Sequence, residues 1–200
     1  MSVPGSALTL VVVLAAAAGC GTGEPRAAAV PVAATAPAPR GVDVLFARMM
    51  VVHHAQAVRL SRILLAKPGV PERVHRIAGF IAHDQQREID EIGAWLVAWG
   101  HPAADPADPL LRRMHGDDAA AHGMLTETQV RQVESAAPAR AAELFLRQMI
   151  AHHTGAITMA RSVLENGGNR YIHNLAAHIV NEQTAENDAM RALLVRPPRR

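Results

Sequence analysis

Residues 46–64 read FARMMVVHHAQAVRLSRIL, and ninety-nine positions later residues 145–163 read FLRQMIAHHTGAITMARSV. Aligned on their histidine pairs, the first copy places Phe46, Met50, His53, Ala57, Leu60 and Leu64 where the second places Phe145, Met149, His152, Ala156, Met159 and Val163. Steps of four and three residues keep each set on one face of an α-helix. A stripe built to be buried therefore carries an imidazole at its middle, twice in one chain.

A second element follows each stripe and repeats with it. Ile77, Ile81, Asp84, Glu88, Ile92 and Trp95 return, shifted by ninety-eight, as Leu175, Ile179, Glu182, Glu186, Met190 and Leu193. This face holds two carboxylates per copy, where acids are rare unless they are paired or bind a metal. Asp84 and Glu182 are each followed by glutamine, Gln85 and Gln183.

The stops and starts place four long helices over 42–67, 71–99, 139–166 and 170–195. Pro68-Gly69 ends the first, Pro71 opens the second, Gly100 and Pro102 follow it, and Gly167-Gly168 separates the last two. Thr126 and Gln129 have capping-box spacing and open a short helix to about residue 136. The polar stretch 101–123 reads as loop. Neither hairpin can bury its stripe alone, so the fold class is all-α: an antiparallel four-helix bundle of two repeated hairpins. Repeat 1 covers 42–100, the linker 101–137 with its short helix outside, and repeat 2 138–196.

The composition agrees with helix packed on helix. Half of the 200 residues are hydrophobic and only 3% aromatic, an alanine- and leucine-rich balance suited to bundles. A net charge of +2 with scattered arginines argues against a nucleic-acid partner. Residues 1–20 form a leader whose apolar run, Leu8 to Ala18, is short for a membrane span and ends in Ala17-Ala18-Gly19-Cys20. This resembles the lipobox of bacterial lipoproteins, although Ala17 replaces the usual leucine and no basic residue precedes the run. It implies export and a membrane partner through a lipid anchor on Cys20, with plain secretion as the alternative. Cys20 is the single cysteine, so no internal disulfide or thiol cluster forms. The Ala/Pro-rich segment 21–41 reads as a disordered tether.

Helical rise puts His53 and Asp84, each about fifteen residues from the first turn, at one height, and His152 level with Glu182. A two-fold pairing of the hairpins then gathers His53, His152, Asp84, Glu88, Glu182 and Glu186 into one interior layer. Four carboxylates in a low-dielectric interior repel strongly, and a metal ion, protonation or an arginine reaching inward would relieve them; a bound cation offsets several at once. His54 and His153 flank the stripe, and Met50 and Met149 lie one turn before the histidines. Thioether with imidazole suits copper, above all Cu(I), while carboxylate with imidazole suits iron, manganese or zinc. The bland alternative pairs His53 with Asp84 and His152 with Glu182 to fix register. His101, His115 and His122 fall in the loop, where an accessory surface site is the less favoured reading.

The pattern Met-x-x-His-His-x-x-Ala, followed on the next helix by an acid or amide, Gln, two residues and Glu, resembles the family called domain of unknown function 305. It stands here as Met50 to Ala57 and Met149 to Ala156, and Gly123-Met124-Leu125-Thr126 is similar to the family's linker. The second copy matches well; the first has Val52 and Ala55-Gln56 where the family has Pro before and Gln-Gly after the histidines. The resemblance implies a ferritin-like four-helix bundle, exported and associated with copper. The function expected is an extracytoplasmic metal-binding protein, best suited to copper, that sequesters or passes on the ion without turnover. A structural module of the cell envelope is the alternative. A ferritin-like dinuclear oxidase is disfavoured, because only Glu72 and His75 have the Glu-x-x-His spacing and their counterpart begins with Arg170.

Overall fold

The computed structural model describes residues 37–115 and 122–195. The leader, Cys20 and the tether up to residue 36 lie outside the described residues. Six helices follow one another: α1 (Gly41–Leu65), α2 (Glu72–Ala98), α3 (Pro109–Met114), α4 (Glu127–Ser135), α5 (Pro138–Asn166) and α6 (Arg170–Val195). The four long ones fall within two residues of the boundaries read from the sequence, and Thr126 and Gln129 form the expected capping box on α4.

Helix α3 lies in the stretch read as loop. Asp108 caps it by accepting from the backbone N–H groups of Leu110 at 2.7 Å and Leu111 at 3.3 Å, and Pro109 supplies a preset first turn. Its buried residue Leu111 docks into the bundle core.

Each hairpin packs on itself, α1 on α2 and α5 on α6, and the hairpins meet through α1 on α5 and α2 on α6. Two terminal contacts fix the direction. Buried Asp43, in the first turn of α1, accepts from the N–H groups of Gly168 at 3.0 Å and Asn169 at 3.3 Å, just past the end of α5. At the opposite end Gly69, just past α1, faces Pro138 at the start of α5. α1 and α5 therefore run antiparallel, and so do α2 and α6. This is an antiparallel four-helix bundle with an approximate two-fold between its repeats.

The interior comes in two apolar halves. One gathers Phe46, Met50, Ile92, Leu96, Val163 and Ile179 with their neighbours. The other gathers Leu60, Leu64, Ile81, Phe145, Met149 and Met190, and Val130 and Val133 of α4 join it. Helix α4 thus closes the core against α1 and α5 rather than lying wholly outside it. Between the halves each long helix turns polar inside: His53 and His54 on α1, Gln85 and Glu88 on α2, His152 and His153 on α5, Gln183 and Asn187 on α6, all buried.

The linker crosses this polar level. His122 and Gly123 nest on α5 at Gly155, where an added Cβ would overlap the His122 carbonyl group. Gly123 has φ +71°, and a side chain there would strike the Ala151 carbonyl. In repeat 1 the residue equivalent to Gly155 is Gln56, which grips the same linker with two hydrogen bonds. Its Nε2 donates to the Leu125 carbonyl at 2.9 Å, and the Leu125 N–H donates to its Oε1 at 2.7 Å.

Two glycines in helix interiors should respond oppositely to alanine. Gly93 on α2 has open space around it, so Gly93→Ala raises stability by up to about 1 kcal/mol through helix propensity. At Gly155 the obstructing atoms are backbone, so overpacking costs about 1–3 kcal/mol and outweighs that gain. Urea unfolding of both variants checks the opposite signs.

Candidate metal centre

The four motif histidines, His53, His54, His152 and His153, have no solvent exposure. Across the α1–α5 interface the rings of His53 and His152 lie 3.7 Å apart between centroids, inclined by 33°. His115, at the end of α3, brings its ring within 5.7 Å of His53, and the His122 ring lies 5.6 Å from that of His115. Met50 and Met149, both fully buried, belong to the apolar halves on opposite sides of this cluster.

Four of these rings meet oxygen acceptors through Nε2. His53 reaches the His122 carbonyl at 2.8 Å and His115 the Met49 carbonyl at 3.2 Å. His54 reaches Glu88 Oε2 at 2.6 Å and His153 reaches Glu186 Oε2 at 2.7 Å. A carbonyl or carboxylate oxygen accepts, so Nε2 carries the hydrogen in each. Every one of the four Nδ1 atoms is buried without a hydrogen-bond partner, and His152 has none at either nitrogen.

Burial holds His53 and His152 well below the ordinary imidazole value of 6.5, and the neighbouring rings deepen both depressions. Burial also lowers His115. These rings are neutral, so the Nδ1 atoms of His53 and His115 carry lone pairs that meet nothing. A histidine held by a carboxylate through one nitrogen while the other stays free is the arrangement that supports a metal-bound imidazole. His54 with Glu88 and His153 with Glu186 both have it.

The carboxylates depart from the expected single layer. His53 and His152 pair with each other instead of with Asp84 and Glu182; the adjacent His54 and His153 take Glu88 and Glu186. The bundle-facing positions on α2 and α6 belong to Gln85 and Gln183, one residue beyond Asp84 and Glu182. A helical stripe is wide enough for either assignment, and the neutral amide is cheaper to bury than the acid. Asp84 and Glu182 sit at the rim of the α2–α6 seam, hydrogen-bonded to each other. Burial opposes ionisation of Asp84, but hydrogen bonds from Arg87 and Glu182 hold its carboxyl below the usual value. Burial and the Asp84 contact push Glu182 up to about 8.

Two participants were missing from the expected set. His115 is buried with only 1% exposure and joins the interior cluster rather than a surface site; the Asp108-Pro109 helix start was the signal for its delivery. His178 lies on α6 one turn before Glu182, with Nε2 at 2.8 Å from Glu182 Oε2, and its spacing of four was readable. An open groove of about 780 Å³, lined by Arg59, Arg62 and Lys67 among others, shares no residue with the histidine cluster.

These features define a four-helix bundle with a buried, histidine-lined centre assembled from duplicated His-His motifs. Residues 43–194 match the family described as domain of unknown function (DUF305), and the chain belongs to that family. A DUF305 fragment from Deinococcus radiodurans is 30% identical with a TM-score of 0.68, over 80% of this chain and 99% of that one. A DUF305 protein from Streptomyces coelicolor, described as secreted, is 29% identical with a TM-score of 0.64, over 77% and 91%. CopM in its Cu(I)-bound form is 26% identical with a TM-score of 0.59, over 75% and 93%. CopM has also been solved with Cu(II) and with silver bound. No curated protein matches the chain.

Titration of the centre should mark the stability of the metal-free protein. His53 and His152 are depressed below 6.5, so their contribution is full above that pH and is lost as the pH falls towards their folded values. Glu182 has the opposite sign: raised from 4.5 to about 8, it contributes below the lower value and loses that contribution as the pH rises through the upper one. In Glu182→Gln only the histidine dependence remains. Its melting temperature should climb from about pH 5 to about pH 7 and then level, while the wild type declines again towards about pH 8. A Glu182→Gln profile with no climb contradicts the assignment.

Proposed function

We propose that the chain is an exported copper-binding protein that sequesters the ion or hands it on without turnover, holding Cu(I) among the histidines of the polar layer. The observation that carries this reading is the set of buried imidazole nitrogens without partners at His53, His54, His115, His152 and His153. Each unpartnered buried nitrogen costs about 1–3 kcal/mol. A cation that takes several lone pairs removes those penalties together. Neutral imidazoles suit copper, and the thioethers of Met50 and Met149, one helical turn from His53 and His152, favour the Cu(I) state over harder ions. Glu88 and Glu186 supply compensating charge through His54 and His153. The similarity to CopM, solved with Cu(I), Cu(II) and silver, supports the same class of cargo, silver being a soft monovalent ion like Cu(I).

Export follows from the leader and the lipobox-like end at Cys20, with a lipid anchor to the membrane or release as a secreted protein; the secreted relative agrees. No helix among the described residues is long and apolar enough to cross a membrane. The linker at His122 and Gly123 packs over α5 at this level and closes the histidine cluster off from the surface.

Anaerobic Cu(I) titration of the wild type and His152→Leu tests the proposal. The wild type takes up Cu(I) and its melting temperature rises with copper concentration. His152→Leu removes both unpartnered nitrogens, so it gains about 1–3 kcal/mol of metal-free stability and loses copper uptake. Uptake by His152→Leu equal to the wild type contradicts the reading. A wild-type melting temperature that copper does not move favours an envelope scaffold instead.

A further inference from the structure

We propose that Asp84, Glu88, His178 and Glu182 form a second metal site, separate from the histidine cluster, for a divalent ion of the manganese(II) or zinc(II) type. One ligand atom from each residue lies within 4.8 Å of the others. The site spans the α2–α6 seam: Asp84 and Glu88 stand one turn apart on α2, His178 and Glu182 one turn apart on α6.

Glu88 is the residue that calls for a ligand. It is 2% exposed, its Oε2 is occupied by His54 at 2.6 Å, and its Oε1 takes no hydrogen bond. That oxygen lies 3.6 Å from His178 Nε2, beyond hydrogen-bonding reach. The other members have partners: His178 Nε2 meets Glu182 Oε2 at 2.8 Å, and Arg87 pairs with Asp84 Oδ1. These contacts pair the rim and leave the buried Glu88 oxygen without a partner. A divalent ion at the centre of the four would take that oxygen together with one from each neighbouring acid, displacing the His178–Glu182 contact.

The donor set decides the class of ion. Three carboxylates and one imidazole, with no thioether, suit manganese(II), zinc(II) or iron(II) and are poor for Cu(I). Access is direct, since the His178 side chain is 47% exposed and those of Glu182 and Asp84 are 21% and 14% exposed. Glu88 touches both centres, one oxygen on His54 and the other on the seam site.

Manganese(II) is the discriminating probe, because an all-imidazole cluster binds it weakly and its free ion gives a six-line paramagnetic resonance signal. Titrated into the copper-free full chain, it should lose that signal up to one equivalent. His178→Ala, at a half-exposed position that does not threaten folding, and Asp84→Asn should each weaken binding at least about tenfold. Cu(I) uptake by His178→Ala should match the wild type. A signal undiminished at millimolar protein, or binding that survives His178→Ala but is lost in His152→Leu, overturns the site. Because the readout is manganese rather than copper, failure of the copper reading leaves this result standing, and the reverse.

Discussion

The closest constraint in the molecule is the apposition of His53 and His152 across the α1–α5 interface, the point about which the two hairpins are paired. An apolar pair there would pack as well and leave no nitrogen unpartnered. The bundle instead interrupts a continuous core with a polar layer, placing Phe46, Ile92 and Ile179 on one side and Leu60, Ile81 and Phe145 on the other. Full burial of a large apolar side chain contributes about 1.5–3 kcal/mol, so two such halves readily carry a layer whose unpartnered groups cost about 1–3 kcal/mol each. Stability resides in the halves, and the unpartnered polar groups lie in the plane between them.

Duplication set up this plane and divergence made it unequal. The single linker must lie on one side of the two-fold, and the repeats differ where they touch it. Gly155 is bare so that the His122 carbonyl can pass over α5 to His53, while Gln56 holds Leu125 from α1. The linker also delivers His115 through the turn of α3. The centre is therefore asymmetric, with histidines from both repeats and a cover from neither.

Much of this was legible in the chain. The stripes from Phe46 to Leu64 and from Phe145 to Val163 identified the buried faces of α1 and α5, because periodicity with large apolar residues leaves little freedom. The glycine and proline stops placed the helix ends. The partners of the polar residues were harder to read, since periodicity assigns a face only to within about one residue. That margin is the difference between Asp84 and Gln85, and it split the expected single layer into a histidine cluster inside and an acid cluster at the rim. His115 was hidden for another reason: a six-residue helix has almost no periodicity, and only the Asp108 cap announced it.

Nε2–H tautomers leave the Nδ1 lone pairs of His53 and His115 without a partner. Long-range proton–nitrogen correlation spectra of the histidine rings measure this directly. In the metal-free protein they should show non-protonated Nδ1 at His53 and His115, and addition of anaerobic Cu(I) should shift their Nδ1 resonances. Nδ1–H tautomers at these rings, or spectra that Cu(I) leaves unmoved, would contradict it.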